Sequence, residues 1–232
     1  MPDVEPGTIV VFSDIACPWS HLAVHRLRSA RRRLGLDDAV ALDHRPFPLE
    51  LVNERPTPKL VLDAETPVVG GLAPDAGWQL WQRAPHEYPG TVLLALEAVQ
   101  AAKDQGLRAS EELDAALRRA LFARSRNVGM YHEIVAAAAA CEGVDAAALE
   151  TALHDGRARS AVMTSLDAAR AWGARGSPHV FLPDGTSAHN PGVEMHWEGA
   201  HGRGFPVIDS DDASVYDDLV TRAARADGGD AG

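Results

Sequence analysis

Apolar positions fall into two rhythms along this chain. Residues 8–12 read Thr-Ile-Val-Val-Phe, a continuous run rich in β-branched and aromatic side chains, which predicts a buried parallel strand. From His21 onward the period lengthens. Leu22, Leu27, Ala30 and Leu34 recur at roughly helical spacing, and Gly35 stands where a helix would stop. Residues 40–45 (Val-Ala-Leu-Asp-His-Arg) predict a second strand ended by Pro46-Phe47-Pro48-Leu49, so a β-α-β unit opens the chain. Between Asn53 and Gly77, prolines and paired glycines leave little period, which predicts a long loop. Trp78 and Trp81, three apart, predict the start of a short helix that they pack down.

The helical rhythm then dominates. Val92, Leu96 and Val99 share a face that ends at Gly106, and Ser110 is placed to cap a helix with Leu113, Leu117 and Leu121 inward. Ile134, Ala138 and Cys141 share a face in an alanine-rich helix. Asp145 caps a short helix carrying Leu149 and Leu153, and a last one carries Val162, Leu166, Ala169 and Trp172. Residues 176–182, Gly-Ser-Pro-His-Val-Phe-Leu, predict a strand that opens directly after a proline, odd for a central strand unless it begins beside a site. Pro183-Asp184-Gly185-Thr186 predicts a hairpin turn. Asp212 is placed to cap a terminal helix with Val215 and Leu219 inward, and residues 224–232 read as a tail. The order is β-α-β, helical block, β-β-α.

Composition narrows the partners. A formal net charge of −11 over 232 residues argues against nucleic acid or an anionic membrane as the main partner. No apolar run approaches the roughly 20 residues that cross a bilayer, and Met-Pro-Asp-Val-Glu has neither the basic nor the apolar region of a signal peptide. Two cysteines make no disulfide scaffold. The expectation is a soluble cytoplasmic protein with reduced thiols.

One of those cysteines stands at the turn from the first strand into the first helix, in Asp14-Ile15-Ala16-Cys17-Pro18-Trp19-Ser20. Pro18 suits the first helical turn, having no N–H to leave unpaired. A thiol at a helix N-terminus faces unpaired N–H groups and the positive end of the macrodipole, both of which favour the nucleophilic thiolate. Cys17 is therefore expected to ionise below the roughly 8.5 of a free cysteine. Ser20, one turn on, can point its hydroxyl at the sulfur but cannot form a disulfide with it. Cys141, on an apolar face, reads as core. His21 and His25, one turn apart behind Cys17, are placed to bias its charge, though a solvated helix face explains them as well. The dense Arg26, Arg28, Arg31, Arg32 and Arg33 are explained by the C-terminal end of the helix, where cations are favoured. His189, Glu194, His196, Glu198 and His201 crowd one segment, but no pair has zinc-motif spacing, so no metal is expected.

Strand, Cys-Pro-Trp-Ser, helical block and Gly-Ser-Pro strand, in this order, resemble the DsbA-like branch of the thioredoxin superfamily. The chain is close to the FrnE type, whose motif is Cys-Pro-Trp-Cys. More distantly the chain is similar to the kappa-class glutathione transferases and 2-hydroxychromene-2-carboxylate isomerases, which carry Ser-Pro-Tyr-Ser. The resemblance covers residues 8–182 and departs over 189–209. It implies an α/β thioredoxin fold over 8–49 and 174–225, a helical insertion over 50–173 and a tail over 226–232. It also implies a cis bond between Ser177 and Pro178 facing Cys17, with Ser177 offering backbone groups to an extended thiol substrate.

The implied activity is that of a thiol-disulfide oxidoreductase with one nucleophile, Cys17, assisted by Ser20. Pro18, Trp19, Ser177 and Pro178 would hold the substrate. No cofactor is tightly bound on this reading. A low-molecular-weight thiol of the glutathione or mycothiol type is a co-substrate, the partner is a small thiol or mixed disulfide, and a homodimer is compatible. The alternatives are a thiol-dependent transferase or isomerase, and a non-catalytic thiol- or peptide-binding module.

Overall fold

The computed structural model describes residues 3–225. In chain order the elements are β1 (Thr8–Ser13), α1 (Pro18–Arg33), β2 (Ala41–Pro46), α2 (Leu49–Val52) and α3 (Lys59–Leu72). A helical run follows: α4 (Leu93–Ala101), α5 (Leu107–Arg124), α6 (Tyr131–Ala139), α7 (Ala146–Asp155) and α8 (Arg159–Ala171). The chain closes with β3 (His179–Phe181), β4 (Ser187–His189), β5 (Val193–Glu198), β6 (Phe205–Asp211) and α9 (Val215–Arg225).

β1 is buried along its whole length because it is central: β2 pairs with it in parallel, β3 antiparallel, and β4 flanks β3, giving the order β2-β1-β3-β4. Its alternate residues feed opposite layers. Ile9 and Val11 meet Leu27 of α1 and Tyr216 and Leu219 of α9. Val10 and Phe12 meet Phe47 and Phe181, with Trp172 edge-on to Phe12 at 5.5 Å. Burying each such side chain stabilises by about 1.5–3 kcal/mol. Pro18 occupies the first turn of α1, and Gly35, at φ +67°, supplies the left-handed residue that ends it. This is the DsbA-like thioredoxin fold with a helical insertion. Among the described residues no helix is long and apolar enough to cross a membrane.

Three stretches differ from the sequence expectation. The expected long loop after Asn53 contains α3, whose Val61, Leu62, Glu65, Thr66 and Val69 share a buried face despite Pro67 inside the helix. Pro67 and Gly70-Gly71 masked that face. A Cβ on Gly70 would lie 3.1 Å from the Trp78 ring, so the glycine makes room for the indole. Trp78 and Trp81 begin no helix. Their stretch is extended because its donors serve the end of α5: Gln79 N–H bonds Phe122 O (2.8 Å), one of the carbonyls a helix C-terminus leaves free, and Gln82 N–H bonds Ser125 Oγ (2.9 Å). Of the histidine-rich segment, His189 ends β4, and the rest forms the β5–β6 hairpin, a separate two-stranded sheet that the sequence pattern did not suggest.

Smaller differences concern caps. α5 starts at Leu107 with Gly106 as its N-cap, so Ser110 lies inside it, and its buried hydroxyl donates to Val99 O (2.8 Å). Asp145 does cap α7, accepting from Ala148 N (3.0 Å). Asp212 binds the N–H and hydroxyl of Ser214, just ahead of α9, and Tyr216, Leu219, Val220 and Ala223 face inward. Of the expected tail, Ala224 and Arg225 belong to α9, and 226–232 lie outside the described residues.

The α1 arginines are more than cations at a helix end. Arg26 is bidentate to Asp211 (2.6 and 2.8 Å), and buried Arg31 is bidentate to Glu111 (2.8 and 2.5 Å). From α5, Arg118 grips Asp114 (2.7 and 3.0 Å), Ser13 Oγ (2.8 Å) and Asp14 O (2.9 Å). The insertion is thereby tied to the end of β1, where the site begins.

Candidate active site

Cys17 is the N-cap residue of α1, and its carbonyl accepts the first helical bond from His21 N (3.0 Å). Its thiol donates to Ser177 O at 3.2 Å. The Ser177–Pro178 peptide is cis, and the Ser177 hydroxyl accepts from Asp14 N (2.8 Å) and pairs with Ser20 Oγ at 2.6 Å. Ser20 is wholly buried. Its hydroxyl is held by Ser177, and its N–H and hydroxyl together favour a Cys17 thiolate. Asp14 ties the three segments together: its carboxylate accepts from Ala16 N (2.7 Å) and Leu49 N (2.8 Å) while its backbone engages Ser177 and Arg118. Burial raises the Asp14 carboxyl to about 6, against the pull of the two N–H donors.

All six residues expected at the site, Cys17, Pro18, Trp19, Ser20, Ser177 and Pro178, lie at the junction of β1, α1 and β3. Trp19 brings in a residue the sequence reading missed. Its indole N–H donates to Glu65 Oε1 (3.0 Å), and burial raises this Glu65 carboxyl to about 7, offset only by that N–H. Reading 59–72 as a helix would have shown a lone carboxylate on an apolar face.

The expected low pKa of Cys17 is overturned. Burial first, and the Glu65 charge second, push the thiol up to about 11, and the bonds from Ser177 and Ser20 recover only part of that. The helix start is present, but the cover over it outweighs it. His21 and His25 also depart from expectation. His21 is buried, stacked on Phe122 at 4.9 Å and edge-on to Trp78 at 4.5 Å, and burial drops it to about 3. His25 is half-buried beside Asp75 (3.2 Å).

A cleft of about 380 Å³ opens onto Cys17. Its walls include Leu49 at the start of α2, Arg55 and Val61 from the insertion, and Met195, Trp197 and His201 from the β5–β6 hairpin. The hairpin's contribution had no signal in the motif pattern, because it arrives from the far end of the chain. Trp78 and Trp81 pack instead on His21 and Tyr88. Cys141 lies just past the end of α6, its thiol donating to Ala137 O (3.2 Å), in a different core cluster from Cys17, and both thiols are free. His196 Nδ1 sits 2.9 Å from both Asp209 oxygens, and among the described residues no three metal-ligating side chains gather.

Several known structures share this fold. A probable DsbA oxidoreductase from Streptomyces coelicolor is similar at 23% identity and a TM-score of 0.68, over 93% of this chain and 89% of that one. The cytosolic disulfide reductase DsbM from Pseudomonas aeruginosa with GSH is similar at 16% identity and a TM-score of 0.60, over 78% and 89%. A 2-hydroxychromene-2-carboxylate isomerase is similar at 18% identity and a TM-score of 0.56, over 78% and 87%. No curated protein sequence matches the chain. The family model of the DSBA-like thioredoxin domain matches residues 8–200, a span that begins at β1 and runs through both motifs of the site to the β5–β6 hairpin. With the thiol on the first helix and the proline loop facing it, the chain belongs to the DSBA-like thioredoxin domain family.

Proposed function

We propose that this protein is a cytoplasmic thiol-disulfide oxidoreductase working through Cys17 alone, with a low-molecular-weight thiol of the glutathione or mycothiol type as co-substrate. The observation that carries the reading is the position of the Cys17 sulfur. It lies 3.2 Å from Ser177 O at the base of an open cleft, with a serine hydroxyl where a second thiol would stand. A Cys17 thiolate attacking R–S–S–R′ forms Cys17–S–S–R and releases R′–S⁻. A second thiolate, R″–S⁻, then displaces Cys17 and leaves R–S–S–R″. Oxidation state balances through one exchange in each step. Glu65 and Cys17 together favour a single negative charge, so thiolate forms most readily when the Glu65 carboxyl is neutral. Similarity to DsbM, the reductase seen with GSH, makes glutathione the first thiol to try.

The test is mass spectrometry after treatment with an oxidised low-molecular-weight thiol. An adduct on Cys17 is expected, absent in Cys17→Ser and discharged by the reduced thiol. Ser20→Cys should convert the adduct into an internal disulfide. Wild-type protein that forms no adduct with any biological thiol would overturn the reading. The high Cys17 pKa and the Ser20–Ser177 hydroxyl pair favour a second reading, a thiol-dependent isomerase or transferase in which the hydroxyls hold a bound thiol. Organic-electrophile turnover retained by Cys17→Ser would select it.

A further inference from the structure

α1 carries five arginines and no carboxylate, and the fold supplies dedicated acids for only some of them. Arg26 and Arg33 meet Asp211 and Asp217, and Arg31 meets Asp37 and Glu111. Arg28 is left to share Glu111. Its Nε stands 3.1 Å from a Glu111 oxygen, yet is buried without a hydrogen-bond partner. Arg32 makes no ion pair among the described residues, and neither does Arg119, which α5 brings to the same groove. Burial pushes the Arg28 guanidinium down from its ordinary value, and the charges of Arg119 and Arg31 add to that against Glu111. Like charges are therefore crowded where the rest of the molecule is acidic.

The groove between α1 and α5 holds about 280 Å³, and Ser29 lines it together with Arg28, Arg32, Arg118 and Arg119. Asp75, the single carboxylate lining it, is engaged by His25 (3.2 Å). Glu111 and Asp114 are committed to Arg31 and Arg118. A carboxylate ligand would occupy one guanidinium fork, whereas an anion with three or more terminal oxygens can engage several at once. We propose that this groove binds a small molecule through a phosphate or pyrophosphate group, at a site separate from the Cys17 cleft.

Titration calorimetry of inorganic pyrophosphate into the full chain tests this, with the shift in thermal midpoint as a second readout. Wild-type protein and an Arg170→Glu control are expected to bind one equivalent. The pair Arg32→Glu and Arg119→Glu is expected to weaken binding about tenfold or more, the size of lost charge-assisted hydrogen bonds. Both residues are exposed, so circular dichroism and Cys17 alkylation should be unchanged, and the Arg32→Gln, Arg119→Gln pair gives an intermediate loss. Absence of binding by both readouts overturns the proposal, as does binding that the double variants retain. Equal binding of malonate overturns the phosphate assignment.

Discussion

Glu65 and Asp114 are both carboxylates under nearly complete cover, 6% and 2% exposed, yet their acidities move in opposite directions. Burial alone would raise both. At Asp114 the Arg118 guanidinium, with His44 and Arg28 adding to it, overturns that and holds the group below the usual carboxylate range. At Glu65 only the Trp19 indole opposes burial, and the carboxyl climbs to about 7. Glu111 follows Asp114, through Arg31, while Cys17 follows Glu65. The difference separates two uses of a buried charge. Where α5 meets the sheet, paired ions fix the insertion in place. In the cleft, groups without a counter-charge hold their protons to a higher pH than they would in water.

Breaking the paired side should have the largest effect. Arg118→Met leaves Asp114 buried without its main partner and frees Ser13 Oγ and Asp14 O, so a loss of about 3–5 kcal/mol is expected in urea unfolding. A loss below about 1 kcal/mol would place this pair among the weak ones. The unpaired side should respond with the opposite sign. Because the folded Glu65 pKa is raised, the folded state holds a proton that the unfolded chain releases between the ordinary carboxylate value and about 7. The resulting cost grows with pH through that window and is complete above it. Glu65→Gln removes it, so the variant should gain up to about 3 kcal/mol over wild type at pH 8 and little at pH 4. Equal differences at the two pH values would show that Glu65 does not titrate there.

The thiol reports the same contrast. Alkylation of wild-type Cys17 should show a midpoint near 11, and Glu65→Gln should move it down, since the neighbouring charge that opposes the thiolate is gone. An unmoved midpoint would leave burial as the sole cause. The smallest effect is expected at the other cysteine. Cys141→Ala should cost about 1 kcal/mol as a modest core truncation and leave adduct formation at Cys17 unchanged.

Much of the fold was legible because its signals are local. A β-branched run, a proline at the first helical turn and Gly35 at the helix end each declare themselves within a few residues, and so placed Cys17 at the head of α1. The order of the Cys-Pro-Trp-Ser and Gly-Ser-Pro motifs carried the family. α3 was hidden because Pro67 and Gly70 imitate a loop locally, and only packing against Trp78 shows why a helix tolerates them. The stretch around Trp78 could not be read either, since its backbone donors answer to the end of α5.

The sequence by itself determined where the motif cysteine stands, at the head of α1, and that no second thiol stands beside it in the motif. How acidic that thiol is, and what walls surround it, only the tertiary structure decided. Acidity depends on what lies within a few ångströms in space, and here that is Glu65 from the insertion and Ser177 from the proline loop. Burial and charge pairing act through distance rather than along the chain. A helix N-terminus that promises a thiolate can thus be overruled by burial first, and then by a carboxylate that no local pattern brings near it.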